Sequence, residues 1–258
     1  MRGNVEPTLL ELDLAAHGDL PQLWADLTSR VVTVAAAVAE ARGHIVARMR
    51  EGKLGPRAFR ATWEQLGFAE NATRASTPAD DWLEGLLEVP RLATDHERPD
   101  HGQVNLASRA VRIAEFLATL EPGPGDVVYD LGAGCGKFVT TVAASTQARV
   151  IGVELGETWV TSSRETAARL GVTNAEHLCA DVRDVDLTNG TQFYLYHPFY
   201  GSVARDTAQK LAAVAAQKAI AVYLQGPSNG FGEHFERHVR PGAFKAIERR
   251  GPITVLKS

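Results

Sequence analysis

The sequence predicts an α/β protein: a Rossmann-like, doubly wound, mostly parallel sheet with a C-terminal antiparallel hairpin, preceded by a small all-helical domain. Three observations predict it. From residue 126 onward, apolar strand-like runs alternate with helix-like segments, the pattern of a parallel sheet covered on both faces. The first of these runs, Val127-Val128-Tyr129-Asp130-Leu131, enters a turn with glycines at 132, 134 and 136. Before residue 95 the apolar residues recur instead at steps of three and four, which is the helical period.

Taken in order, Leu23, Leu27, Val31, Val34 and their successors to Met49 mark one face of a long helix. Pro21 suits its first turn, and Gly43 allows a bend. Shorter helices carry Phe59, Trp63 and Leu66, then Trp82, Leu83, Leu86 and Leu87. These aromatics read as helix-bundle core, and the domain they form is placed at 1–95, with a lid, substrate-binding or dimerisation role. The second domain is placed at 96–258. Arg91 to Asn105 is polar and broken by Pro99 and Gly102, so it reads as a loop. Asn105 can cap a helix whose apolar face is Leu106, Ala110, Ile113, Leu117 and Leu120. Pro122-Gly123-Pro124-Gly125 stops it. Beyond lie strand 126–132, helix 136–146, strand 149–155, helix 157–170, strands 175–181 and 192–198, helix 202–217 and strand 218–226. The tail, Phe244–Arg250 and Ile253–Lys257 around Gly251-Pro252, reads as the closing hairpin.

Composition excludes some partners. The 258 residues include 45% hydrophobic and 22% charged ones, ordinary for a globular chain, and the net charge is −4. A nucleic-acid surface normally shows as a basic excess, so no nucleic acid is expected as a partner. The longest apolar stretch, Val31–Ala39, is too short to span a bilayer, and Met1–Ala16 lacks the pattern of a secretory signal. A cytoplasmic protein with no membrane partner is expected. Cys135 and Cys179 lack zinc-like spacing, and His96 and His101 lack a partner set, so no metal is expected.

In an open sheet of this kind, ligands bind beyond the carboxyl ends of the strands. The turn Gly132-Ala133-Gly134-Cys135-Gly136 lies there, with glycines that permit close backbone approach. Glu154 ends the second strand, where a carboxylate can accept from both ribose hydroxyls. Asp181 follows the third, where it can accept from an adenine amino group, beside Val182. Asp130 would face the pyrophosphate of a dinucleotide, an unfavourable pairing, whereas a cofactor carrying an ammonium and a sulfonium removes that conflict. The residues therefore point to S-adenosylmethionine and to methyl transfer. The alternatives are an NAD(P)-dependent oxidoreductase and a noncatalytic scaffold.

Residues 99–226 resemble class I S-adenosylmethionine-dependent methyltransferases, with Asp130-Leu131-Gly132-Ala133-Gly134-Cys135-Gly136 as their first motif. More narrowly they are similar to the lysine methyltransferases of the disruptor-of-telomeric-silencing type and their prokaryotic relatives. The residues carrying this are Asp100-His101-Gly102-Gln103-Val104-Asn105, Gly152-Val153-Glu154 and Tyr196-His197-Pro198-Phe199-Tyr200-Gly201. The resemblance implies that Asp130 and the glycine loop hold the methionine end of the cofactor, Glu154 the ribose, and Asp181 with Val182 the adenine. It also implies cofactor contacts from His101, Gly102, Gln103 and Val104. Tyr196 is grouped with these, and Lys137 stands where the narrower family often has glutamine.

His197 occupies the position where amine methyltransferases often have Asn or Asp. It is either a base or substrate contact, as a reference pKa of about 6.5 allows, or a residue shaping the pocket. Tyr200 is grouped with it as catalytic. The acceptor is expected to be a nitrogen or oxygen of a small molecule or protein side chain, lysine included. A homodimer could form through the N-terminal helices.

Overall fold

The computed structural model describes residues 20–69, 76–89, 107–226, 230–239, 242–251 and 253–258. The chain divides into two compact units, 1–45 and 46–258. Helix α1, Leu20–Arg50, runs unbroken through Gly43. Its apolar stripe is not buried as bundle core: Val31 and Val34 are each more than 60% exposed, and Trp24 still more. No helix among the described residues is long and apolar enough to cross a membrane.

In the second unit α2 (Pro56–Glu64) and α3 (Pro78–Leu87) precede α4 (Ala110–Leu120). Proline opens both α2 and α3, where its missing N–H costs nothing. Phe59 and Trp63 are fully buried, but Leu66 falls beyond the end of α2 and is exposed. Both helices pack on α5, the helix that follows the glycine turn, so within the segment 1–95 assigned by sequence to a helical domain, the part from Val46 onward shares a compact unit with the sheet. Asn105 lies outside the described residues. α4 begins at Ala110 with Arg109 as its N-cap residue, which makes no side-chain cap bond. The amide of Ala110 donates instead to Asp80 Oδ1 of α3 at 2.6 Å, a cap supplied through space that local sequence could not show.

The remaining elements are β1 (Val127–Leu131), α5 (Lys137–Ser145), β2 (Arg149–Glu154), α6 (Glu157–Leu170), β3 (Ala175–Cys179), β4 (Gln192–Tyr196), α7 (Gly201–Ala215), β5 (Ala221–Gln225), α8 (Gly230–Glu236), β6 (Ala246–Arg250) and β7 (Ile253–Lys257). The sheet order is β3-β2-β1-β4-β5-β7-β6. β1 to β5 are parallel, and β7 and β6 antiparallel, as the sequence predicts. The central strands are buried on both faces, which is why they read as continuous apolar runs. β3 and β4 end two residues earlier than expected. After β4, His197 turns to φ +39 and Pro198 has no N–H to continue a ladder.

Alternation along the strands sends side chains to two cores. On one face Phe116 of α4 meets Phe138 of α5, Tyr194 and Tyr223 edge-on, and Phe138 stacks on Tyr194 with centroids 3.8 Å apart. On the other, Leu131, Phe193, Leu195 and Leu224 pack with Val203 and Leu211 of α7 and with Phe231 and Phe235 of α8. The order reverses between β1 and β4, so the carboxyl ends of those two strands frame the expected ligand crevice.

Candidate functional site

The glycine turn follows β1 with Gly132, Gly134 and Gly136 all at positive φ (+93, +52 and +71), conformations that favour glycine. The amides of Gly132 and Ala133 both donate to the carbonyl of Val153. Glu154 closes the loop from the next strand: its Oε2 accepts from Gly134 N at 2.9 Å and its Oε1 from Gly156 N at 3.0 Å. Each carboxylate oxygen retains further acceptor capacity for a ribose hydroxyl.

Two of the glycines make room for protein rather than directly for a ligand. A Cβ on Gly132 would stand 2.2 Å from the Cβ of Pro198, so the loop after β4 sits directly against the glycine turn. A Cβ on Gly136 would collide with Ser163 of α6 and press on His177 of β3. His177 is 6% exposed, and its Nε2 has no hydrogen-bond partner. Burial, reinforced by the Arg164 guanidinium, pushes its imidazole down to about 4 from an ordinary 6.5. The folded value lies below the unfolded one, so the unfolded chain takes up a proton that the folded chain resists. The protein is expected to keep this stability above pH 6.5 and to lose up to about 3 kcal/mol of it as pH falls toward 4. Urea midpoints across that window should show this slope for the parent and lack it for His177→Asn.

Asp130, the penultimate residue of β1, is 3% exposed. Burial, and then the like charge of Glu154, push its carboxyl well above the ordinary range. A buried acid whose charged neighbour is another acid is chemically suited to a cationic group, such as the ammonium of S-adenosylmethionine. Asp181 lies just beyond β3. The Arg183 side chain forks onto it at 2.6–3.1 Å and the Arg183 amide adds a fourth bond, which together hold the carboxyl low. The oxygens expected to receive an adenine amino group are thus already engaged, although an exposed ion pair of this kind is cheap to open. Val182 is buried beside it.

At the end of β4, Tyr196 is half-buried, and the ring of His197 lies 4.7 Å from that of Phe231 in α8. Burial, and then His234, lower the His197 imidazole. Phe199 is buried, while Tyr200 is 45% exposed at the N-cap of α7. His101, Gly102, Gln103 and Val104 lie outside the described residues. Cys135 is buried and its thiol raised by that burial, as suits a small packing residue.

Sequence reasoning missed two features. Helix α8, which brings Phe231 and His234 beside His197, is seven residues long and contains Gly232, too short for a periodic signal. Lys137, the first residue of α5, is 2% exposed and ion-paired with Asp80 at 2.9 Å and Glu84 at 2.8 Å. The capping box of Thr77 and Asp80 marks the start of α3 in sequence, but nothing local links it to Lys137.

The strand order, the glycine turn and the acids at the ends of β1 and β2 are those of the class I S-adenosylmethionine-dependent methyltransferase fold. Residues 100–188 match the family model of the precorrin methyltransferase domain. A 23S rRNA (uracil(1939)-C(5))-methyltransferase RlmD from Marinomonas sp. (strain MWYL1) is 39% identical over 91 residues, which are 35% of this chain and 20% of that protein. The RlmD of Xanthomonas campestris pv. campestris (strain 8004) is 41% identical over 83 residues, covering 32% and 18%. The chain thus spans about a fifth of the length of these curated relatives. The solved structure of an S-adenosylmethionine-dependent O-methyltransferase from Thermotoga maritima covers 60% of this chain and 67% of its own, with a TM-score of 0.51 and 11% identity, a likeness of fold. Because these relatives are rRNA methyltransferases, the narrower resemblance to lysine methyltransferases of the disruptor-of-telomeric-silencing type gives way to the class-level one. The same matches overturn the expectation that no nucleic acid would be a partner, which rested on net charge averaged over the whole chain.

Proposed function

We propose that the protein transfers a methyl group from S-adenosylmethionine to a nitrogen or oxygen atom of RNA. The observation that carries the methyl-transfer reading is the buried Asp130 beside the Glu154-closed glycine loop, a pair of acids suited to a cation. Asp130 and the loop would hold the methionine end, Glu154 the ribose, and Asp181 with Val182 the adenine. When bound, the cofactor supplies an electrophilic methyl group on a sulfonium. The relatives' names support RNA as the acceptor class.

A uracil C5 carbon becomes nucleophilic only after another nucleophile adds to the adjacent carbon, a task suited to a thiolate. Cys135 is buried with a raised thiol, and Cys179 ends β3, three strand positions from β4. A nitrogen or oxygen already carries a lone pair and needs only orientation and loss of a proton. His197, with its imidazole lowered and its ring held against Phe231, is the proposed proton acceptor, and Tyr200 is exposed at the N-cap of α7.

The test has two arms. S-adenosylhomocysteine should raise the melting midpoint and NAD should not; stabilisation by NAD alone would sink the reading. Tritiated methyl from the cofactor should then enter the RNA fraction of a lysate, and label confined to protein or to small molecules would reject RNA. His197→Ala is expected to lower turnover about 100-fold with unchanged affinity for S-adenosylhomocysteine. Undiminished turnover would remove His197 from the chemistry.

A further inference from the structure

We infer that the outer edge of the C-terminal hairpin, at Arg249 and Arg250 of β6, is a docking surface for the phosphate backbone of the acceptor RNA, an inference that rests on the RNA reading above. Charge is unevenly spread along the chain. Residues 237–258 contain Arg237, Arg240, Lys245, Arg249, Arg250 and Lys257 against the single acid Glu248, a net +5. The chain as a whole is −4, so the preceding 236 residues carry −9. Such asymmetry is a recognised mark of nucleic-acid contact that a whole-chain average conceals.

The tertiary structure brings part of this charge to the ligand end of the sheet. Because β7 runs antiparallel to β5, one row of register partners crosses four strands: Tyr196 of β4, Gln225 of β5, Ile253 of β7 and Arg250 of β6. Arg250 is therefore level with the residue that precedes His197. At about 4.8 Å per strand it lies roughly 14 Å away, the span of about four nucleotides at helical rise. An acceptor base reaching His197 would carry its flanking phosphates toward this edge.

β6 is the last strand of the sheet, and the side chains of Arg249 and Arg250 are 48% and 67% exposed. Adjacent strand residues point to opposite faces, so the two guanidinium groups straddle the edge. They pair with Glu236 and Glu248 respectively. Exposed pairs of this kind hold only about 0–1 kcal/mol, and the guanidinium fork matches phosphate oxygens two at a time. The competing account is that charge on an edge strand merely prevents sheet-to-sheet association.

The test uses the full chain and a fluorescently labelled single-stranded RNA of mixed sequence, titrated at several salt concentrations. The Arg249→Gln/Arg250→Gln variant should bind it roughly tenfold more weakly at low salt, and the slope of log affinity against log salt should fall by about 1.4. Its melting midpoint and its affinity for S-adenosylhomocysteine should match the parent's. Equal RNA affinity and slope in parent and variant would overturn the inference and leave the RNA reading standing, and the same holds if the variant merely aggregates while binding RNA as the parent does. A parent that binds S-adenosylhomocysteine but no RNA at low salt would overturn both.

Discussion

Asp80→Ala is expected to cost about 3 kcal/mol or more of stability, a large share of the roughly 5–15 kcal/mol that holds a typical domain together. One carboxylate serves three helix starts. Its Oδ2 accepts from the Thr77 amide and hydroxyl at the head of α3, and its Oδ1 accepts from Ala110 N, the first amide of α4, and from Lys137 Nζ at the head of α5. Burial would raise this acid, but Lys137, the Ala110 amide and Thr77 together hold it below the ordinary range. Removal strands the Ala110 amide and leaves the buried Lys137 ammonium with Glu84 alone. Lys137→Met should cost a comparable amount. The double variant should cost clearly less than the sum, because residues sharing one network do not add. Denaturant midpoints at unchanged slope are the measurement, and an additive pair would show that the three helix starts are not coupled through this contact.

Asp130→Asn is expected to move stability and cofactor affinity in opposite directions. The folded-state carboxyl is raised above its unfolded value by burial and by Glu154, so at neutral pH its charge opposes folding. The amide should make the cofactor-free protein more stable by about 1 kcal/mol. That gain should shrink as pH falls and the parent carboxyl takes up its proton. The same change should weaken S-adenosylhomocysteine binding about 30-fold or more, the ~2 kcal/mol typical of removing one partner from a buried charge pair. Calorimetric titration and thermal melting read both effects on one sample. A variant less stable than the parent with unchanged affinity would remove Asp130 from the binding site.

Much of the fold was legible because it is written in local periodicity. Alternating apolar runs placed every strand of the sheet, and Gly251-Pro252 placed the turn of the hairpin. Strand ends were less legible: β4 stops at Tyr196, where His197 takes a left-handed conformation with its ring against Phe231, a residue far along the chain. In the site, Asp130, Glu154 and the glycines stood out by order and spacing. The engagement of Asp181 by Arg183, two residues away, was also local, yet side-chain direction decided it.

By itself the sequence determined the class of protein: a strand, a glycine turn and acids at successive strand ends are contiguous features whose geometry follows from backbone preference. What only the tertiary structure decided are contacts between residues far apart in the chain. These include Pro198 seated on Gly132, Asp80 capping α4 and pairing with Lys137, Phe231 beneath His197, and Arg250 level with Tyr196. The physical reason is that such partners are selected by packing and register across the sheet, and neither leaves a period in the one-dimensional pattern.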